Sequence, residues 1–517
     1  MTKNENEINL GTDPLLLTST SRLTGNVLWN FLGLTLPLAA GLLAIPVLIR
    51  FLGLDRFGLL AIAWTLTGYF NLFDFGLGRA LTKIVAELIG AGRNAEVPRF
   101  IWASLATMGL LGVVATISLA LFSPWIVESL LNVPLELQIE VTLAFRILAF
   151  SIPAVIVTTA LRGILEAHQR FDLVNKLRMP LGLFTFLGPL LALPISNSLI
   201  AVFSILLGGR LLFLWLHFDA CRNLNSGLFA VEGVRFSGDQ LMKLLRLGGW
   251  MTVSNLAGPI MVSMDRVFIG ALQSAEAVAY YATPQSIVFR LQVIPGAMMG
   301  VLFPAFSTMK GARGNRSERA FGLACASVLL MTFPLCLLIT VFAAEGLYYW
   351  LGLEFSLTSS VVLQLLSIGV VINAVAQVPY GFLQSHGHAR VTAIFHLIEL
   401  PLYIFSVVVL IVNYGIMGAA IAWLLRVSID AVALFSATAL LHAEMRFYVI
   451  RTTVVTGIMV VVLLLTLGIH DLNLRLAYVL VVVAAGPIIY WSMAMSDWEK
   501  GYIKNLLAVS SRKNNSK

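Results

Sequence analysis

Charge is what this chain is short of. Asp, Glu, Lys and Arg make up 12% of its 517 residues, about half of the ~25% usual in soluble domains. That scarcity excludes an ordinary water-soluble globular protein. Cysteine is almost absent: Cys221, Cys325 and Cys336 show no metal-binding spacing and no disulfide framework. The chain has no GxxxxGK[ST], no HExxH, no GxSxG and no clustered Cys or His. No metal, nucleotide or other cofactor is therefore expected, and nothing points to catalysis. The start, MTKNENEINLGTDP, has no basic stretch leading into a short apolar core, so no cleaved signal peptide is expected. The matches to the glycosylation sequon, Asn315-Arg316-Ser317 and Asn514-Asn515-Ser516, fall on segments assigned below to the cytoplasm.

Apolar residues fill the gap, at 59% of the chain and a mean hydropathy of +0.90. Uncharged runs recur, among them 23–49, 100–127, 179–209, 320–344, 355–389, 401–425, 452–470 and 476–496. Each supplies the ~20 apolar residues a helix needs to cross ~30 Å of hydrocarbon. The runs and their breaks predict an all-α polytopic membrane protein of about fourteen transmembrane helices. The expected spans are 25–52, 57–79, 99–123, 141–168, 176–195, 198–220, 247–272, 277–305, 319–345, 358–385, 390–412, 416–441, 450–469 and 474–495. With the N-terminus inside, 26 of the 34 Lys and Arg fall on cytoplasmic segments, 3 on outside segments and 5 within spans. The positive-inside rule predicts that asymmetry, and both termini are expected in the cytoplasm. The net charge of +8 then faces anionic inner-leaflet lipid and is no sign of nucleic acid. The longest outside connection, 124–140, is acidic (Glu128, Glu136, Glu140) and too short to fold as a domain.

The first span ends LIRFLGLDRFGLLAI (48–62), and the seventh ends DRVFIGALQSAEAVAYYA (265–282). Pairing Phe51-Leu52-Gly53 with Phe268-Ile269-Gly270 puts both glycines where a helix leaves the membrane, with Asp55 and Glu276 opening the next span. Six spans precede the basic segment 222–246 (Arg222, Arg235, Lys243, Arg246), six follow it, and a final pair comes after those. The expected organisation is a cytoplasmic segment (1–24), a six-helix lobe (25–222), a linker (223–246), a second lobe (247–442), a helix pair (443–495) and a tail (496–517). Parallel repeats of this kind place a transport site between the halves.

PVLIRFLGLDRFGLLAI, DFGLGRALTK (74–83), DRVFIG (265–270) and LFPAFSTM (302–309) resemble polysaccharide flippases of the multidrug/oligosaccharidyl-lipid/polysaccharide (MOP) exporter superfamily. The resemblance implies a MATE-like pair of lobes about a pseudo-two-fold axis, in the bacterial cytoplasmic (inner) membrane. It implies a flippase that moves undecaprenyl-pyrophosphate-linked oligosaccharide by alternating access for O-antigen synthesis. The implied partners are that polyprenyl-pyrophosphate-linked oligosaccharide, membrane lipids, and a polysaccharide polymerase with its chain-length regulator. Competing readings are a cation-coupled multidrug antiporter or a peptidoglycan-precursor (lipid II) flippase, and more remotely an O-antigen polymerase or ligase, which would need larger outside loops.

Five arginines lie within the expected spans: Arg146, Arg210, Arg266, Arg290 and Arg426. Each costs about 2.5–3.5 kcal/mol at a helix centre, so they should face a cavity or a partner. A permanently charged planar fork suits phosphate oxygens, which makes all five candidates for binding an anionic cargo. Arg210 and Arg290 rank first. Arg146 is about one turn from the outer edge, where it could snorkel, and Arg426 could pair with Asp430 four residues on. The candidate ion-coupling acids are Glu399, Asp265, Asp74 and Asp430. Glu399 ranks first because no Arg or Lys lies within a turn of it on its own helix. In VSMDRVFIG (262–270), Asp265 and Arg266 point about 100° apart. One is expected to face the central cavity and the other a neighbouring helix, in an order left open. Polar stripes at helical spacing on the first span (Asn26, Asn30, Gly33, Pro37), the second (Thr67, Asn71, Asp74, Gly78), the tenth (Asn373, Gln377, Tyr380, Gln384) and the eleventh (His396, Glu399, Tyr403) predict a hydrated interior.

Overall fold

A computed structural model describes residues 36–37, 39–70, 77–168, 170–224, 226–229, 261, 264–308, 316–469, 471–489 and 500. These are helical almost throughout, with no strand among them. In chain order the helices are α1 (Ala39–Leu52), α2 (Leu54–Phe70), α3 (Leu77–Gly90), α4 (Val97–Trp125), α5 (Gln138–Ala167), α6 (Phe171–Ala192) and α7 (Leu199–Leu224). They continue with α8 (264–272), α9 (Ala275–Val288), α10 (Val293–Thr308), α11 (Arg316–Val341), α12 (Ala343–Leu351), α13 (Leu353–Ser385), α14 (Ala389–Leu441), α15 (Arg446–Leu465) and α16 (Leu472–Ile489). Seven helical segments among the described residues are long and apolar enough to cross a membrane, which makes this an integral membrane protein. One of them, α14, merges the eleventh and twelfth expected spans, which turn back on each other at Gly415 (φ 60, ψ −141). Only a residue without Cβ takes that conformation freely.

Helix exteriors carry the apolar surface. On α4, Leu110, Val114, Ile117 and Leu121 are exposed on adjoining turns, as a hydrocarbon-facing stripe requires. Inside, α5 packs against α2, α3, α4, α6 and α7, while α13 packs against α9, α10, α11, α12 and α14. Each half is thus organised around its fourth span. The main contact between the halves is α2 on α9, the second span of each. Contact between equivalent elements is what a two-fold axis produces. The helix pair α15–α16 lies outside, on α11 and α14, and Arg475 on α16 bonds to Glu345 at 2.7 Å.

α2 and α9 approach so closely that a Cβ on Gly58 would overlap the Ala275 carbonyl oxygen and lie 3.3 Å from the Ala279 nitrogen. Nearby, Asn132 donates its backbone N–H to Gly270 O at 3.0 Å and its side-chain amide to Ala271 O and Gln273 O, both at 3.1 Å. The halves are therefore shut at the end that carries Gly53, Asn132 and Gln273.

Two local expectations change. Gly53 does end a helix (φ 82), but Gly270 lies inside α8, where a Cβ would press on Ile62 and Leu131. The turn in the second copy comes later, at Gln273 and Ser274, and the Ser274 hydroxyl accepts from Ala277 N at 3.0 Å to cap α9. Residues 77–90, read as the edge of a span and a loop, form the amphipathic α3. It buries Leu77, Leu81, Ile84 and Leu88 and leaves Lys83 and Glu87 exposed as an i,i+4 pair at 3.8 Å.

Candidate functional site

The helix of the eighth expected span is interrupted. Between α9 and α10, Phe289–Gln292 tighten into a 3-10 turn, just before Pro295, which supplies no N–H to the carbonyl four residues earlier. Arg290 sits in this turn. Its guanidinium lies over the Phe186 ring of α6, 5.6 Å from the centroid. It lines a small, open cleft with Pro37, Gly41 and Ile45 of the first span, Phe186, and Ser286 of α9. No acidic partner of Arg290 appears among the described residues. A cation in a helix break, held by a ring face in a cleft between the two halves, leaves its N–H fork available to an anion.

Arg266 and Asp265 divide as their spacing requires. Asp265 is wholly buried and accepts from the Tyr281 hydroxyl and from Gln285 Nε2 at 2.8 Å. Arg266 turns to the seam between the halves, donating to Gln285 Oε1 (2.6 Å), Ser286 Oγ (3.2 Å) and Thr65 Oγ1 of α2 (3.3 Å). Gln285 serves both, with its amide N–H on the acid and its carbonyl on the base. Arg266 and Arg290 thus flank Ser286 along one wall.

Arg210 shares its face of α7 with the buried Leu206, Phe213 and His217, and so points into the first half. It has no ion pair among the described residues. Arg146 does not join the others. It is exposed on α5 in line with exposed Ile139, Leu143 and Phe150, a lipid-facing stripe on which a long cationic chain snorkels.

On α13, Asn373, Gln377 and Tyr380 are partly accessible, whereas all other residues from Leu366 to Leu383 are buried. The stripe predicted from i, i+4, i+7, i+11 spacing is thus the open face of an otherwise enclosed helix. Gln377 donates to Gln292 Oε1 at 2.7 Å, and the Tyr380 ring stacks on His396 at 5.7 Å. This continues to a buried group on α14, where Arg426 reaches across from the second arm to Glu399 on the first, Nε to Oε2 3.7 Å. The same-helix pair of Arg426 with Asp430 is replaced by this cross-arm contact. Glu399 consequently does have a basic neighbour, which sequence spacing alone could not reveal. One donor atom each from His396, Glu399 and Asp430 lie within 4.8 Å of one another. Asp74 and most of the first- and second-span stripes fall outside the described residues. The sequence reading missed Thr65, Tyr281, Gln285 and Phe186; Tyr281 and Gln285 were visible only as an i, i+4 polar pair.

A model of the family described as "Polysaccharide biosynthesis protein" matches residues 23–310. The chain is 30% identical over 410 residues to the "Putative O-antigen transporter" of Shigella flexneri, spanning 79% of this chain and 96% of that protein. It is 28% identical over 348 residues to a succinoglycan biosynthesis transport protein of Rhizobium meliloti, covering 63% of this chain and 64% of that one. In fold it is similar to the lipid II flippase MurJ in an inward closed conformation, with TM-score 0.65, 13% identity, and 90% and 99% of the two chains covered. It is also similar to an inward-facing MATE family transporter, with TM-score 0.63, 15% identity, and 82% and 98% covered. A chain whose described residues are helical and pack in two halves, with a match spanning more than half its length, belongs to the polysaccharide biosynthesis protein family.

Proposed function

We propose that this protein is a flippase that carries polyprenyl-pyrophosphate-linked oligosaccharide from the cytoplasmic to the periplasmic leaflet by alternating access. Arg290 carries the reading. A permanent cation near mid-depth, with a ring beneath it and no acid beside it among the described residues, suits a polyanionic headgroup and repels a cationic drug. Arg266 lies across Ser286 from it and Arg210 adds positive charge in the first half, while the α13 stripe offers hydroxyl and amide groups to sugar.

The distribution of Lys and Arg supports cytoplasmic termini in the inner membrane. The end sealed by Gly58, Asn132 and Gln273 then faces the periplasm, and the molecule stands ready to load from the cytoplasm. Polymerisation outside the membrane would consume the cargo, which makes a polymerase and its chain-length regulator the functional neighbours.

The test is complementation of a strain lacking its own flippase. Arg290→Ala should abolish surface polysaccharide at unchanged protein level in the membrane. Arg290→Lys should restore only part, because the charge stays and the fork is lost. Full activity of Arg290→Ala removes Arg290 from the site.

A further inference from the structure

We propose that Glu399 and Asp430 share a single proton in a closed site between the two arms of α14. Glu399 is the eleventh residue from one end of α14 and Asp430 the twelfth from the other, both counted from the same side of the hairpin. At 1.5 Å per residue they lie about 15–17 Å deep, near mid-membrane. They are 6% and 5% exposed. Both Glu399 oxygens and Asp430 Oδ1 are buried without a hydrogen-bond donor.

Both arms of α14, together with α13 and α9, bring groups with a polar or ionisable end to this region. The first arm of α14 supplies His396 and Tyr403, the second arm Arg426, α13 Tyr380 stacked on His396, and α9 Tyr281, which is committed to Asp265. With His396 neutral, two carboxylates and one guanidinium sum to one negative charge. An uncompensated charge in a low-dielectric interior costs several kcal/mol, and two close carboxylates resolve the conflict by holding one proton between them. A divalent ion would leave the group positive beside Arg426. Among the described residues a monovalent metal ion would find one donor atom from each of three side chains, which is few for a hard cation.

The proton is a site in its own right; its use for coupling rests on the exporter reading above. A proton entering from one side and leaving to the other would change the charge of α14 as the halves rock.

Infrared difference spectroscopy of the protein in lipid nanodiscs at neutral pH tests the site without any cargo. Wild type minus Glu399→Gln and wild type minus Asp430→Asn should both show loss of a protonated-carboxyl band, because in either variant the remaining carboxylate pairs with Arg426. Arg426→Gln should strengthen that band, since a second proton is then needed. Glu136→Gln, at an exposed acid, should leave the spectrum unchanged. If the band survives Asp430→Asn, the proton belongs to Glu399 alone and sharing is overturned. If neither variant removes a band, and replacing sodium by an organic cation lowers the unfolding midpoint of wild type but not of the variants, the site holds a metal ion and the proposal fails. Loss of surface polysaccharide in Arg290→Ala bears only on the exporter reading.

Discussion

Adding one methyl group at Gly58 should unlock the sealed end. A Cβ there would overlap the Ala275 carbonyl oxygen and sit 3.3 Å from Ala279 N, so backbone, rather than a flexible side-chain tip, would have to move. Overpacking of this kind costs about 1–3 kcal/mol. A free-energy change of that size confined to the closed state shifts its population against the open one by about 5- to 150-fold. Cysteine cross-linking reads the change. Asn132 Nδ2 lies 3.1 Å from Gln273 O across the sealed end, and native Cys221, Cys325 and Cys336 are buried. A reporter with Asn132→Cys and Gln273→Cys should therefore cross-link readily in the wild-type background. In the reporter carrying Gly58→Ala the yield should fall. Gly109→Ala, where an added Cβ meets nothing within 4 Å, should leave it unchanged. Equal yields for Gly58→Ala and the unmodified reporter would refute the claim that α2 and α9 hold this end shut.

Asp265→Ala should leave the buried Tyr281 hydroxyl and Gln285 amide without their acceptor and lower the unfolding midpoint, at a cost of about 1–3 kcal/mol for each orphaned donor. Thr65→Val, which removes the hydrogen bond from Arg266 across the seam, worth about 0.5–1.5 kcal/mol, should mainly lower the cross-linking yield at the sealed end. Arg146→Gln should leave surface polysaccharide at wild-type levels, since that side chain faces lipid; its loss would return Arg146 to the cargo path. Reporter fusions should place 124–140 and 346–357 outside and 310–319 inside, and a periplasmic C-terminus would invert the proposed direction of loading.

Features written along one helix were legible in the sequence. The α13 stripe followed from spacing alone, and its residues are the accessible ones because a helix repeats its face every three or four positions. Arg146 was visible as a candidate for snorkelling by its distance from the span edge. Features written between helices were not legible. Arg426 could be paired in advance only with Asp430, because Glu399 lies 27 residues away in sequence and comes close only after the turn at Gly415. The adjacency of Asp265 and Arg266 could not reveal that one glutamine, twenty residues on, satisfies both. α3 was hidden by its charges: Arg79 and Lys83 count toward a cytoplasmic loop, although the intervening apolar residues keep helical spacing.

The turn at Gly415 has a mechanical consequence. A Cβ on Gly418 would overlap the Leu410 carbonyl oxygen, so the two arms of α14 touch at the elbow and cannot part there. Any opening between them must grow with distance from that pivot, as in a pair of tongs. Glu399 and Arg426 grip each other at 3.7 Å, and residue 399 lies sixteen positions from the pivot, about 24 Å along the arm. Opening the arms by roughly 5° would separate the two side chains by about 2 Å, enough to break an ion pair that such a distance barely holds. The hairpin thus converts a small change of angle into making or breaking a charge contact, and gaining or losing a charge there exerts the same leverage in reverse.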